Sequence, residues 1–307
     1  MSAPALLLPQ TPPKSAAYVQ ALRAYSIPAS MASVLVGAAL AGRGYFVPDH
    51  RGAFSVVALL LTLAGGVLAH LAGNVFNDYY DFVRGVDVKP DQGSGVLTQG
   101  LLSKEEMFRF GTALLAGAAA CGGALLVLAP PARALVLPLA VFGALAAVFY
   151  AAAAKRYALG DLLIMLAFGV GLTLGAYGVQ TPVVSAWQAA RVCLAALPLT
   201  FLVDAILHAN NIRDVEDDAR AGVRTVATLL GARGSQILFS LLLFLPVAIV
   251  SVLALTGTLP LACLAVWLSV PVLIKAFRTG DVPFCAQAHL LFGVLLALSV
   301  ALAPMPR

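Results

Sequence analysis

The chain has 307 residues, of which 61% are hydrophobic and only 11% are charged. Soluble domains carry about a quarter charged residues, so this composition excludes a soluble protein and indicates one that lies in a lipid bilayer. The formal net charge is +5, but the positions of the basic residues follow membrane sidedness, which argues against a nucleic-acid-binding face.

Apolar segments of transmembrane length follow one another along the whole chain. They predict an all-α bundle of nine transmembrane helices, formed as a single domain over residues 1–307. Residues 1–17 are expected to be a flexible N-terminal tail. The predicted spans lie near 18–41, 53–76, 108–129, 132–151, 161–180, 187–209, 235–256, 259–276 and 284–304.

The basic residues predict the orientation of the bundle. With nine spans and the N-terminus inside, 14 of the 19 Lys and Arg residues fall on the cytoplasmic side. Loops that are rich in Lys and Arg stay in the cytoplasm. The sequence therefore predicts a multi-pass protein of the cell inner membrane, with its most highly charged loops facing the cytoplasm.

A cluster of amides and carboxylates ends the second apolar segment. Asn74, Asp78 and Asp81 are spaced i, i+4 and i+7, so they share one face of a helix, which Asn77 joins. Ionised side chains at membrane depth are costly and mostly face a cavity. Grouped carboxylates repel each other, and a hard cation such as Mg²⁺ relieves that repulsion. The alternative interpretation is a polar helix end that frays into a loop.

A second cluster of the same kind ends the sixth apolar segment. Asn211, Asp214 and Asp218 are spaced i, i+3 and i+7, which again predicts one helical face. Because the two clusters are four spans apart, the sequence predicts two four-helix units with a ninth helix appended. Asp204, four residues before His208 in the same segment, is interpreted either as part of a structural pair or as lining a watery pocket.

The clusters and their surroundings favour a substrate with two unlike ends. Metal ions held between the clusters would attract a diphosphate, and the apolar bundle behind them suits an isoprenoid tail. Loss of the diphosphate leaves an allylic cation, which must be kept from water and which aromatic faces attract. Candidate phosphate-binding residues are Arg84, Lys89, Lys155, Arg213 and Arg224, and candidate pocket residues are Asn77, Tyr80, Tyr150 and Tyr177.

The two clusters, Asn74-x3-Asp78-x2-Asp81 and Asn211-x2-Asp214-x3-Asp218, resemble the two motifs of the UbiA superfamily of intramembrane prenyltransferases. The resemblance extends over nearly the whole chain, including the nine-helix layout. It implies Mg²⁺ held by catalytic carboxylates, with amides completing the metal shells and basic residues on the phosphates. The implied metal ligands are Asn74, Asp78, Asp81, Asn211, Asp214 and Asp218.

Within the superfamily, Gly85-x-Asp87, Gly222-x-Arg224 and Gln287-x-His289 are similar to the menaquinone branch. That branch attaches a polyprenyl chain from its diphosphate to 1,4-dihydroxy-2-naphthoate, with loss of carbon dioxide. Many relatives carry an aspartate where this chain has Gly85, and an acid where it has Asn211. Both departures recur in the menaquinone branch.

Other interpretations remain open at this point. The acceptor could be 4-hydroxybenzoate, homogentisate or a lipid-linked alcohol. A cation-coupled transporter also carries intramembrane Asp and Asn residues, although its site typically lies near the bilayer midplane at broken helices. The sequence predicts neither the length of the prenyl chain nor the oligomeric state.

Overall fold

The computed structural model describes residues 13–46, 54–152, 157–181 and 183–303, and within these ranges every regular element is helical. The all-α fold is therefore confirmed. In chain order the helices are α1 (Lys14–Ala21), α2 (Pro28–Gly42), α3 (Val56–Val83), α4 (Lys104–Leu128), α5 (Arg133–Ala152), α6 (Gly160–Gln180), α7 (Ala186–Arg213), α8 (Val215–Arg220), α9 (Val226–Leu255), α10 (Leu261–Thr279) and α11 (Val282–Leu302).

Eight of these helices are long and apolar enough to cross a membrane, and α1 with α2 adds a ninth span that is bent by 51°. The sequence predicted one continuous helix near 18–41. Instead, Arg23 takes a left-handed backbone conformation and Pro28, which has no amide hydrogen to donate, begins α2. The predicted tail is corrected at its end, because residues 14–17 belong to α1 and Ala17 is buried. Residues 1–12 lie outside the described ranges.

Both helices that carry the polar clusters extend past the predicted apolar segments. Helix α3 continues to Val83 and α7 to Arg213, so each cluster begins on regular helix. The chain then turns at Asp214 and restarts as α8. Because of this turn, Asn211 and Asp218 lie on different helices and do not share the single helical face that was predicted for the second cluster.

The bundle is packed unevenly. Within the most apolar 18-residue stretch of each helix, 72% of the residues of α7 are buried, against 22% in α3 and 11% in α4. Helix α7 packs against α9 and α11 in the main core, whereas α3 packs against α4 and α5. The duplication into two four-helix units stays a prediction.

Of the two interpretations of Asp204, a structural pair with His208 is not what the structure shows. His208 Nε2 lies 3.1 Å from the Ser235 carbonyl oxygen, and its Nδ1 lies 3.7 Å from Asp161 Oδ1. Asp204 is buried beside them, and its Oδ1 has no hydrogen-bond partner among the described residues.

Candidate functional site

An open cavity of about 190 Å³ is lined mainly by α3, α5, α6 and α7. Small and apolar side chains, such as Gly73, Ala147 and Leu207, form much of its wall. Residues of both polar clusters reach it, so the two motifs meet at one site. The polar and charged residues lining it are Arg23, Ser26, His70, Asn74, Asn77, Asp81, Asp87, Tyr150, Asn210, Asn211, Arg213 and Asp214.

Three members of the first cluster line this cavity from α3. Asn74 Nδ2 donates to the Leu22 carbonyl oxygen and to Ser26 Oγ, both at 3.0 Å. Asp81 is buried against the cavity wall. Asn77 Oδ1 is buried and has no hydrogen-bond partner in the part of the chain that the structure describes. An unsatisfied buried oxygen costs free energy, which indicates a ligand at this position.

Asp78, the fourth member, is buried next to the cavity but is not part of its lining. At about 100° per residue it lies at the edge of the stripe formed by the other three. Its carboxylate accepts hydrogen bonds from the Arg23 guanidinium and, at 3.1 Å, from the Ser94 amide. Asp78 thus ties the bent first span and the loop after α3 to the site.

The loop after α3 is held close to these carboxylates by its glycines. Gly85, at φ +71°, ends α3, which gives the departure from the aspartate of many relatives a structural reason. Gly93, at φ +59°, lies so near the site that a Cβ there would be 2.6 Å from Asp87 Oδ2 and 3.0 Å from Asp78 Oδ1. Only glycine accommodates both this backbone conformation and this approach.

The second cluster is divided by the turn at Asp214. Asn211 and Asp214 line the cavity, and Arg213 forms a two-point ion pair with Asp214, with both N···O distances at 2.7 Å. Asp218 is buried on α8 outside the cavity lining, where its backbone amide donates to the Asp214 carbonyl oxygen at 2.9 Å. The structure therefore does not bring Asp218 to the cavity.

Of the predicted phosphate-binding residues, Arg213 lines the cavity. Lys89 does not line the cavity, and its ammonium lies 3.0 and 3.1 Å from the two carboxylate oxygens of Asp217, so its role in phosphate binding stays a prediction. The hydrogen bond from Lys89 lowers the pKa of Asp217 below its ordinary value. Asp217 also accepts a hydrogen bond from Gln92 Nε2 at 2.8 Å. These contacts of Lys89 and Gln92 with Asp217, called the latch below, connect α8 to the loop after α3.

The other basic candidates lie outside the cavity or outside the described residues. Arg84 lies over the Tyr80 ring, 5.3 Å from its centroid. Arg224 is exposed and does not line the cavity. Lys155 falls within residues 153–156, which the structure does not describe.

Among the predicted aromatic pocket residues, Tyr150 lines the cavity. Tyr80 does not, and its ring packs against Tyr79 at 5.2 Å between centroids. The prediction for Tyr177 is corrected, because this residue is fully buried in the main core and its hydroxyl donates to the Tyr45 carbonyl oxygen at 2.9 Å.

The sequence analysis missed several residues that line the cavity. Arg23 is an ionisable residue inside a predicted span, which is itself a signal of function. His70 precedes Asn74 by one helical turn and extends its stripe. Phe168 had no sequence signal, because it lies on a π-helical turn (Met165–Gly171) of α6. Such turns occur frequently at functional sites.

The donor atoms around the cavity suit Mg²⁺. Within the described residues, no three Asp, Glu, His or Cys side chains are grouped closely enough to hold a metal ion. Mg²⁺ is nevertheless usually held by one or two carboxylates together with water and substrate phosphates, not by an all-protein cage. Asp81 and Asp214, with the unsatisfied Oδ1 of Asn77, supply hard oxygen ligands of this kind.

A model of the UbiA prenyltransferase family matches residues 30–292. UbiA prenyltransferase domain-containing protein 1 of Homo sapiens is 37% identical over 302 residues, covering 95% of this chain and 85% of the human protein. The Drosophila melanogaster homolog of that protein is 38% identical over 233 residues, covering 75% of this chain and 62% of its own length.

Solved structures share the fold at low sequence identity. The apo structure of a UbiA homolog from Aeropyrum pernix K1 has a TM-score of 0.68 at 20% identity and covers 89% of this chain and 96% of its own. A UbiA homolog from Archaeoglobus fulgidus bound to GPP and Mg²⁺ has a TM-score of 0.59 at 17% identity and covers 93% of this chain and 97% of its own.

Proposed function

The chain belongs to the UbiA prenyltransferase family, and from that premise we propose that it transfers a polyprenyl group from its diphosphate to an aromatic quinone precursor. The observation that carries the proposal is the single cavity where Asn and Asp residues of both motifs meet an apolar wall. A diphosphate needs the polar end of such a cavity, and a hydrocarbon chain needs the apolar part. Membership of a prenyltransferase family favours this enzyme over the transporter alternative.

The residues of the cavity would have different roles in the reaction. Asp81 and Asp214, with Asn77 and Asn211, would hold Mg²⁺, which would neutralise charge on the departing diphosphate. The guanidinium of Arg213 is placed to contact a phosphate, since it already binds a carboxylate through two hydrogen bonds. Asp78 would act as a positioning residue through Arg23 and Ser94. Tyr150 and the apolar wall would shield an allylic cation from water.

For the acceptor we propose 1,4-dihydroxy-2-naphthoate, which would place the protein in menaquinone biosynthesis. Its hydroxyls activate the ring toward an electrophilic cation. The new carbon–carbon bond forms at the carbon that carries the carboxylate, and carbon dioxide then leaves and restores aromaticity. The sequence pattern around Asp81, Gly85 and Asp87 supports this choice. The homolog bound to GPP and Mg²⁺ supports a prenyl diphosphate donor.

The test is an assay of the purified protein with one labelled polyprenyl diphosphate, Mg²⁺ and a panel of acceptors. We expect product from dihydroxynaphthoate with one carbon dioxide released per transfer, and none in excess chelator. The panel includes 4-hydroxybenzoate, homogentisate and a lipid-linked alcohol. Turnover of one of these, with none of the naphthoate, would reassign the acceptor.

We further propose that the mouth of the site faces the cytoplasm in the cell inner membrane, as the distribution of basic residues predicts. The test uses single cysteines in a background without the four native ones. Asp91→Cys, in the loop after α3, should be labelled only from the cytoplasm, and Trp187→Cys only from outside. Labelling of the Asp91 position from outside would reverse the orientation.

A further inference from the structure

His70 extends the functional stripe of α3 by one turn toward the membrane interior. At about 100° per residue, His70, Asn74, Asn77 and Asp81 fall within about 60° of one another on the helix. All four line the cavity, and His70 is only 7% exposed. A polar ring at the inner part of an otherwise apolar wall calls for a polar partner.

Two serines of the bent first span hold the His70 ring. Nε2 lies 3.1 Å from Ser26 Oγ, and Nδ1 lies 3.3 Å from Ser30 Oγ. Each serine hydroxyl is also placed to donate to a helix carbonyl, Ser26 to that of Arg23 at 2.9 Å and Ser30 to that of Ile27 at 3.0 Å. Asn74 Nδ2 also donates to Ser26 Oγ at 3.0 Å, so Ser26, Asn74 and His70 form one hydrogen-bonded group at the cavity.

Each nitrogen of the His70 ring thus has a serine oxygen within hydrogen-bond distance. A neutral ring has one N–H donor and one acceptor nitrogen, so it can donate to one serine and accept from the other. A ligand hydroxyl can also both donate and accept, so it can join the hydrogen bonds of the ring where they reach the cavity. Ser26 lines the cavity and Ser30 does not, so the Nε2 edge of the ring is the one a ligand can reach.

The wall beside His70 suits a flat ring. Phe168, on the π-helical turn of α6, lines the cavity and meets the His70 ring edge to face at 4.8 Å between centroids. Along α3, His70 and Asn77 are about 10 Å apart, which leaves room for an aromatic ring system between the hydroxyl site and the acidic end.

We propose that the Ser26–His70 pair binds a ring hydroxyl of the aromatic acceptor and so aims the acceptor's reactive carbon at the acidic end of the cavity. This inference rests on the proposed function and deepens it. The acceptor hydroxyl would join the hydrogen bonds of Ser26 Oγ and His70 Nε2, at the place where both side chains line the cavity. Good positioning of two reactants supplies a large part of a rate enhancement.

The experiment compares His70→Gln with His70→Asn. The Gln side chain places an amide group near the position of Nε2, whereas the Asn amide lies near Nδ1. We expect His70→Gln to keep the acceptor KM near that of the unmodified protein and His70→Asn to raise it about tenfold, the effect of one lost hydrogen bond. The KM for the polyprenyl diphosphate should not change in either variant, and thermal unfolding would show that both fold.

A second arm needs no variant. Mono-O-methyl ethers of the acceptor keep the ring but remove one hydroxyl donor, and one of the two ethers should lose activity by about tenfold or more. Equal acceptor KM values for His70→Gln, His70→Asn and the unmodified protein, or equal use of both ethers and the parent acceptor, would overturn the inference. Failure of the unmodified protein to prenylate any aromatic acceptor would instead count against the proposed function.

Discussion

The two polar clusters have similar spacing, but their aspartates differ in the ion pairs that neutralise their charge. Asp78 is paired with Arg23, which is distant in sequence, and the two side chains are only 4% and 16% exposed. Asp214 is paired with its neighbour Arg213, and these side chains are 39% and 56% exposed. The first pair joins separate parts of the fold, whereas the second stays local and open to the cavity.

This difference separates structural roles from chemical ones. A buried ion pair is costly to break from one side, because the remaining charge stays in a low-dielectric environment. An exposed pair contributes little to stability, and its groups can exchange partners when a ligand arrives. We therefore expect the first pair to hold the site together and the second to handle the diphosphate.

The largest expected effect comes from replacing the two arginines by methionine. Arg23→Met leaves Asp78 buried without its cation and should lower the free energy of unfolding by about 3–5 kcal/mol. Arg213→Met should lower it by less than about 1 kcal/mol, because that pair is exposed. Thermal unfolding of both variants in the same detergent measures the contrast. Equal destabilisation by the two changes would contradict it.

The next effect is on catalysis and concerns the carboxylates that line the cavity. Asp81→Asn and Asp214→Asn should each lower kcat by about 100- to 1000-fold, since each removes charge that would hold Mg²⁺ at the leaving group. The stability of Asp214→Asn should change little, because its ion pair is exposed. Glu216→Gln is a matched control, because Glu216 is exposed and lies outside the cavity. Activity within tenfold of the unmodified protein in either Asp variant would count against the metal assignment.

A smaller effect tests the loop that joins the two clusters. Gly93→Ala and Gly100→Ala both place a side chain at positive φ, with a similar conformational cost of about 1 kcal/mol. Only at position 93 would the new Cβ also press on Asp87 and Asp78, since nothing lies within 4 Å at position 100. We expect Gly93→Ala to lower kcat about tenfold further, because it displaces site carboxylates. Equal kcat values would show that the loop does not shape the site.

The sequence was sufficient to predict the parts of the site that depend on local helical geometry. The stripe of Asn74, Asn77 and Asp81 follows from spacing alone, as does the meeting of two clusters on one side of the bundle. The Arg23–Asp78 pair was not predictable, because it depends on the bend in the first span. Asp218 does not lie on the predicted helical face, because the chain turns at Asp214.

The aromatic residues were harder to predict for another reason. The helices are apolar on nearly all faces, so periodicity does not distinguish a cavity-facing position from one in the core. Tyr177 was expected in the pocket and lies in the core, while Phe168 reaches the cavity through the π-helical turn. A single added residue per turn rotates the following side chains, and no composition signal marks it.

The smallest expected effect concerns the latch between Lys89, Gln92 and Asp217. The hydrogen bond from Lys89 is the main cause of the lowered pKa of Asp217, so the folded protein favours the charged carboxylate. The contribution of this contact is present above the ordinary carboxyl value of 3.8 and is lost only as the pH falls through the lowered pKa. Between about pH 5 and pH 8 the latch should therefore be fully formed.

Asp217→Asn and Lys89→Met should accordingly leave the shape of the pH–activity profile unchanged over that range and leave the melting temperature nearly unchanged, because the contact is largely exposed. The change should instead appear locally, as faster amide hydrogen exchange in residues 86–95, since Lys89 and Gln92 hold this segment against α8. Asp91→Asn, which removes a charge from an exposed position of the same loop outside the latch, is the control and should leave exchange in that segment unchanged. A lower melting temperature in both latch variants, or unchanged exchange in residues 86–95, would mean that the loop is held by the buried Asp78 contacts and not by the latch.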